Sequence, residues 1–328
     1  MVCFNITGGD FIKTLYIIGN GFDVAHGLKT KYWNFRKYIE ERDPYFLSAF
    51  EQLYNIQPLD DTEPWYTKEA QERWNEAVNH DLWSEFEKNM GNPNTTEMLA
   101  QSISVTEGMP SVGIRYHMKL YWKEQYQFIN ELQNYVKEWI ETVDTTNIIC
   151  KKKSLINSTD LFFSFNYTDV LEKVYSIDDV LHIHGGVAKG SDLPPIMGHC
   201  NKQDILKHRK WAKEADDEFA EAEASIQDAV ADYLEAIYKD TKKQIVLNQK
   251  FFDTLSTVNR VIVIGWSAGD VDIPYLQEII KCVSHDTRWI VYWYDADAYN
   301  SLTSAFQKEG IIDENIIEYV QSDNFWDA

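Results

Sequence analysis

Thr14-Leu15-Tyr16-Ile17-Ile18-Gly19-Asn20-Gly21-Phe22-Asp23 is the stretch whose reading decides the fold class. An apolar, β-branched run that breaks on Gly-Asn-Gly reads as a buried strand leaving through a glycine corner. Tyr32, Phe35, Tyr38 and Ile39 then recur at helical spacing. Strand, turn and helix in that order are what a ligand-binding α/β unit needs.

The same grammar returns downstream. Leu161-Phe162-Phe163-Ser164-Phe165 runs into Asn166-Tyr167-Thr168 and a helical stretch through Leu171, Val174 and Tyr175. Val180-Leu181-His182-Ile183-His184 alternates and stops at Gly185-Gly186. Val261-Ile262-Val263-Ile264-Gly265 and Trp289-Ile290-Val291-Tyr292-Trp293 read as two more buried strands, flanking a helix near Pro274 to Val283. Continuous apolar strands separated by helices predict a Rossmann-like parallel sheet covered by helices on both faces.

The intervening segments read as helical. Residues 43 to 110 have their only clear helix near Trp74 to Met90. A sustained stripe runs from Met118 through Trp122, Leu132 and Trp139 to Val143, and a long helix or hairpin over 204 to 240 carries Ile226, Val230 and Leu234 on one face. The expectation is one α/β domain over 1–328 with helical insertions at about 43–145 and about 202–245.

Composition narrows the function classes. With 52 acidic against 31 basic side chains the formal charge is -21, so the field repels phosphate backbones, which disfavours long nucleic acid as a partner. The basic run Lys151-Lys152-Lys153 reads as a solvated loop. Cys3, Cys150, Cys200 and Cys282 form no Cys-x-x-Cys pair, which disfavours a zinc ribbon or a disulfide framework and fits a reducing, cytoplasmic setting. No run of about 18 apolar residues is present, so no membrane partner is expected. Homo-oligomerisation stays open.

In parallel sheets ligands bind at the carboxyl ends of strands. The polar turns at Gly19, Asn166, His184 and Gly265 all fall at such ends. Gly19-Asn20-Gly21-Phe22-Asp23 is half of a dinucleotide fingerprint: its glycines would let backbone N–H groups approach a pyrophosphate, but Val24 stands at the third glycine's place. The alternative is a tight turn whose Asp23 caps the next helix. Asn20, Asp23 and His26 together point to a bound ribose or phosphate.

His182 and His184, two apart on a strand, would share a face, but no third ligand is apparent and no metal is expected. His182 reads as a core histidine satisfied by backbone. His184, at a strand end, has the intrinsic pKa for proton transfer near neutrality, and Asn166 could hold a water or a ribose hydroxyl without adding charge. Gly265-Trp266-Ser267-Ala268-Gly269-Asp270-Val271-Asp272 could present Ser267 and Asp270 to a ligand. It matches Gly-x-Ser-x-Gly, although a Ser-Asp-His hydrolase would need a histidine beyond His285.

Four strings, IIGNGFDVAHGL at Ile17 to Leu28, SFNYTDVLE at Ser164 to Glu172, LHIHGG at Leu181 to Gly186 and IGWSAGDVDIPY at Ile264 to Tyr275, resemble the abortive-infection AbiH family of phage-defence proteins. The resemblance spans residues 15 to 295. That family in turn is similar to the sirtuin-like fold. The resemblance implies that Asn166 and His184 match residues that cleave the nicotinamide–ribose bond of NAD, and that Gly19, Gly21, Gly265 and Ser267 match the nucleotide cradle.

Two departures stand out. Thr168 occupies a place where sirtuin-like NAD hydrolases commonly carry Asp, and Asn20 replaces a small residue. The zinc cysteines of sirtuin deacylases are missing, so deacylation is not implied. The expected function is therefore phage defence by binding NAD or a related nucleotide and hydrolysing its N-glycosidic bond, with a phage trigger or a defence protein as possible partner. The rivals are a non-catalytic nucleotide sensor and a metal-dependent hydrolase or nuclease using Asp270 and Asp272.

Overall fold

The computed structural model describes residues 12–60, 62, 66–96, 98, 114–156, 158–187 and 194–327. Cys3 lies outside them. The described chain divides into two compact units, one of Met1–Lys29, Val143–Pro194 and Thr241–Ala328, the other of Thr30–Thr142 and Pro195–Asp240.

The first unit holds a six-stranded sheet: β1 (Thr14–Ile18), β2 (Leu161–Ser164), β3 (Val180–His182), β4 (Arg260–Ile264), β5 (Arg288–Trp293) and β6 (Ile317–Gln321). All neighbours pair parallel, in the order β3-β2-β1-β4-β5-β6. This is the α/β Rossmann-like sheet expected from the apolar strands. Alternation along each strand feeds two cores. Leu15, Ile17, Phe163, Val261 and Val263 pack on one face with Tyr275, Leu276, Ile279 and Phe306, while Tyr16, Ile18, Phe162, Ile262 and Ile264 pack on the other with Phe22, Val170, Leu171 and Tyr175.

Strands β1, β2 and β3 step outward one way, and β4 returns to the opposite side of β1. The order therefore reverses between β1 and β4, the crevice where such sheets take ligands. β6 was not read from the sequence: Ile317-Glu318-Tyr319-Val320-Gln321 alternates as a half-solvated edge strand and lacks the apolar run of its neighbours.

Three sequence expectations need correction. The helix after the glycine turn is α1 (Asn20–Ala25), which starts inside the turn itself, whereas the periodic Tyr32–Arg42 helix belongs to the second unit. A six-residue helix carries no period to read. β3 stops at His182 rather than His184. Lys151 and Lys152 are not merely solvated: their ammonium groups lie 5.9 Å from the Trp326 ring and 4.9 Å from the Phe325 ring.

The second unit is helical. The Trp74 to Met90 helix is realised as Lys68–Val78 and Phe86–Asn89 joined by a π turn at Asn79–Trp83. The stripe from Met118 becomes helices Ile114–Tyr126 and Leu132–Glu141 with a 3-10 turn between. The acidic segment is a hairpin of Lys202–Asp217 and Glu221–Ala236. Phe35, Phe50, Trp83 and Phe86 form its aromatic interior, with Trp83 stacked on Phe86 at 4.3 Å. Two buried ion pairs cross it, Arg36 to Glu51 at 2.8 Å and Lys239 to Glu87 at 2.8 Å. No described helix is long and apolar enough to cross a membrane.

Candidate functional site

The glycines at the reversal point are there for packing. A Cβ on Gly19 would lie 2.5 Å from the Gly265 oxygen, one on Gly21 2.7 Å from the Gly265 Cα, and one on Gly265 2.3 Å from the Phe22 nitrogen. Gly265 also takes φ +70. Gly19 N donates to the Ile264 oxygen at 3.0 Å and Gly21 N to the Gly265 oxygen at 2.7 Å. The turns that follow β1 and β4 are thus zipped backbone to backbone. This corrects the phosphate-cradle reading of Gly19 and Gly21, whose N–H groups are spent on holding the two turns together. Asn20, Gly21, Ser267 and Asp270 remain exposed around this junction.

Asp23 enters from the first turn of α1 and is 1 % exposed. Thr168 Oγ1 donates to its Oδ2 at 2.6 Å. Burial pushes the carboxyl up to about 7, although hydrogen bonds from Thr168 and Asn166 and the nearby His182 pull the other way. Asp23 Oδ1 and Asn166 Oδ1 are buried without a hydrogen-bond partner among the described residues.

Asn166 is held on both sides of its backbone. Its N–H donates to Ser164 Oγ at 3.1 Å, and its carbonyl accepts from His182 Nδ1 at 2.7 Å. His182 Nε2 meets Glu172 Oε1 at 2.7 Å. Burial lowers the His182 pKa, but the Glu172 carboxylate outweighs it and the net direction is upward. His182 is a satisfied interior histidine whose second partner is a carboxylate, and its effect is to fix the Asn166 backbone.

His184 belongs to a different group. β3 ends at His182, and Ile183 and His184 already lie in a turn, so the strand alternation that would align His184 with His182 no longer applies. This corrects the shared-face expectation. His184, 3 % exposed, packs against Phe165 and Tyr275, each at 5.4 Å between ring centroids, and its Nε2 is 3.6 Å from Asp272 Oδ1. Asp272 Oδ2 accepts from Trp266 Nε1 at 3.2 Å, and Trp266 stacks on Phe165 at 5.7 Å. Asp272 stands at the N-cap of the Ile273–Cys282 helix, yet its side chain makes no capping bond there. Its Oδ2 is bonded to Trp266 instead, and its Oδ1 faces His184.

Phe165 and Asn166 are consecutive, so the imidazole–carboxylate pair and the Asp23–Asn166 group hang on one short backbone segment at the end of β2. His26, by contrast, is not part of it. Its Nδ1 bonds the Phe22 oxygen at 2.7 Å and its Nε2 the Tyr175 hydroxyl at 2.8 Å, and its ring packs on Phe22 and Trp326. It lies at the far end of α1 from the strand ends, and burial lowers its pKa. Among the described residues no three His, Cys, Asp or Glu converge as metal ligands.

A model of the family described as bacteriophage abortive infection AbiH matches residues 15–293. The chain belongs to the AbiH family. All four quoted motifs and every residue of the two groups above fall inside the matched stretch, and AbiH membership places the chain in phage defence by abortive infection. A search of curated proteins finds no match. Three side chains of this AbiH site went unassigned from sequence: Thr168 and Glu172 lie inside a quoted motif, and Asp272 had been weighed only as a metal ligand. Local spacing could not show that each reaches the end of a strand other than the one it follows.

Proposed function

We propose that this AbiH protein binds NAD or a related nucleotide at the carboxyl ends of β1 to β4 and hydrolyses its N-glycosidic bond, depleting cofactor during infection. The observation that carries this reading is the buried His184 facing the partly exposed Asp272 carboxylate at 3.6 Å, the two coming from the segments after β3 and β4. A buried imidazole with a carboxylate this close is suited to accept a proton, because the negative charge stabilises the imidazolium that forms.

Breaking the bond builds oxocarbenium character on the ribose. His184 serves as general base towards a ribose hydroxyl, and the carboxylates around the strand ends offset the developing positive charge. The exposed Asn20, Ser267 and Asp270 form the rim over which the rest of the nucleotide would lie. NAD is substrate here, with no metal step.

The test is incubation of purified protein with NAD, NADP, ATP and ADP-ribose, following products by chromatography and binding by thermal shift. Turnover should fall by about 10² or more in His184→Ala if it is the base. Unchanged NAD loss in that variant refutes the assignment. Tight binding with no product in the wild type selects a nucleotide sensor.

A further inference from the structure

The buried oxygens of Asp23 and Asn166 carry an inference that rests on the hydrolytic reading above. Two acceptors, Asp23 Oδ1 and Asn166 Oδ1, are shielded from solvent without a partner among the described residues. The carbonyl orientation of Asn166 is set by its neighbour when Asp23 is ionised: its amide bonds the carboxylate, which in that form only accepts, so the NH₂ faces Asp23 and the oxygen is left over. Its backbone is pinned by Ser164 and by the Glu172–His182 chain, so the side chain is held on a fixed base.

A buried acceptor left unmatched keeps its full desolvation cost. The two acceptors belong to side chains that hydrogen-bond each other, and the small group that can donate to both is a water. We propose that Asp23 Oδ1 and Asn166 Oδ1 hold the hydrolytic water, and that Asp23 is the base that deprotonates it. A water donating both hydrogens inward keeps its lone pairs directed away from the two oxygens, as a nucleophile requires.

The step balances. The water oxygen bonds to the anomeric carbon of the ribose, and the carbon–nitrogen bond breaks with its electron pair passing to the pyridinium nitrogen, which becomes neutral nicotinamide. One water proton passes to Asp23 and from there to solvent, and the other stays on the new hydroxyl. His184, in the separate group against Phe165 and Tyr275, keeps its role at a ribose hydroxyl. A carboxyl near neutrality is matched to this work, since a base is most effective when its pKa lies near the working pH. The groups that face Asp23 are the Thr168 hydroxyl, the Asn166 amide, the His182 imidazole and the Asp169 carboxylate. Asp169 is itself paired with Lys173 at 2.8 Å.

The experiment measures kcat and KM for NAD against pH in the wild type, Asp23→Asn and Thr168→Val. Asp23→Asn should lose about 10²-fold in kcat with KM within about twofold, because it removes the base and keeps the shape. Wild-type kcat should fall about tenfold per pH unit on the acid side of about 7, and the Asn variant's residual rate should lack that limb. Thr168→Val removes the bond that lowers the Asp23 pKa, so its acid limb should move to higher pH. A kcat within about threefold of wild type in Asp23→Asn, or an unmoved limb in Thr168→Val, overturns the proposal while leaving nucleotide hydrolysis intact. If Asp23→Asn does not fold, the Thr168→Val limb decides alone. A wild type that forms no product from NAD, NADP or ATP overturns both readings.

Discussion

Replacing Asp23 by Asn should make the folded chain more stable, and increasingly so as pH rises. The folded carboxyl keeps its proton up to about 7, against 3.8 in the unfolded chain. Between these values the folded state binds more protons than the unfolded one, so stability falls as pH climbs from the lower value to the higher and stays reduced above it. At about 1.4 kcal/mol per tenfold, the cost of the ionised carboxylate is about 2 kcal/mol near pH 5 and about 4 kcal/mol near pH 8. Asn is uncharged throughout, keeps an oxygen for the Thr168 hydroxyl, and escapes this dependence. Urea unfolding of both proteins, followed by tryptophan fluorescence, should give a stability difference that grows by about 2 kcal/mol from pH 5 to pH 8, with unchanged slopes against denaturant. Parallel pH profiles, or an Asn variant less stable near pH 8, would refute the reasoning. A gain in stability coupled to loss of turnover is the pattern expected where a strained group is retained for activity.

Two further substitutions, with one control, probe the backbone. Gly265→Ala should destabilise by more than about 2 kcal/mol, because the new Cβ meets the Phe22 nitrogen at 2.3 Å and φ is +70. Gly269→Ala, where a Cβ meets nothing within 4 Å, is the control, and equal denaturation midpoints for the two would sink the explanation. Phe219 sits just past the Lys202–Asp217 helix at φ 59 and is 92 % exposed, so Phe219→Gly should gain about 1 kcal/mol by relieving a left-handed conformation that glycine adopts at no steric cost. A lowered urea midpoint would contradict that.

Much of the first unit was legible because buried parallel strands must be apolar on both faces. Leu15, Ile17 and Tyr16, Ile18 feed opposite cores, and the resulting unbroken runs stand out from the chain. The glycine turns were legible for the same kind of reason: a close approach of two backbones tolerates no Cβ, whatever its purpose. What that approach serves was not legible. Gly19 and Gly21 read as open to a phosphate, and only the neighbouring β4 turn reveals that their N–H groups are already bonded.

By itself the sequence determined the fold class, the strand ends that carry polar residues, and membership of AbiH through four motifs in a fixed order. These depend on local periodicity and on residue types at short spacing. Only the tertiary structure decided which polar residues meet. It joined Asp23 to Thr168 and Asn166, His182 to Glu172, and His184 to Asp272, and it set His26 aside against Tyr175. Asp23 and Thr168 are 145 residues apart in the chain, and only the parallel pairing of β1 with β2 brings their strand ends together. Burial follows from that pairing, and burial sets the charge state of Asp23, a property no reading of neighbouring residues contains.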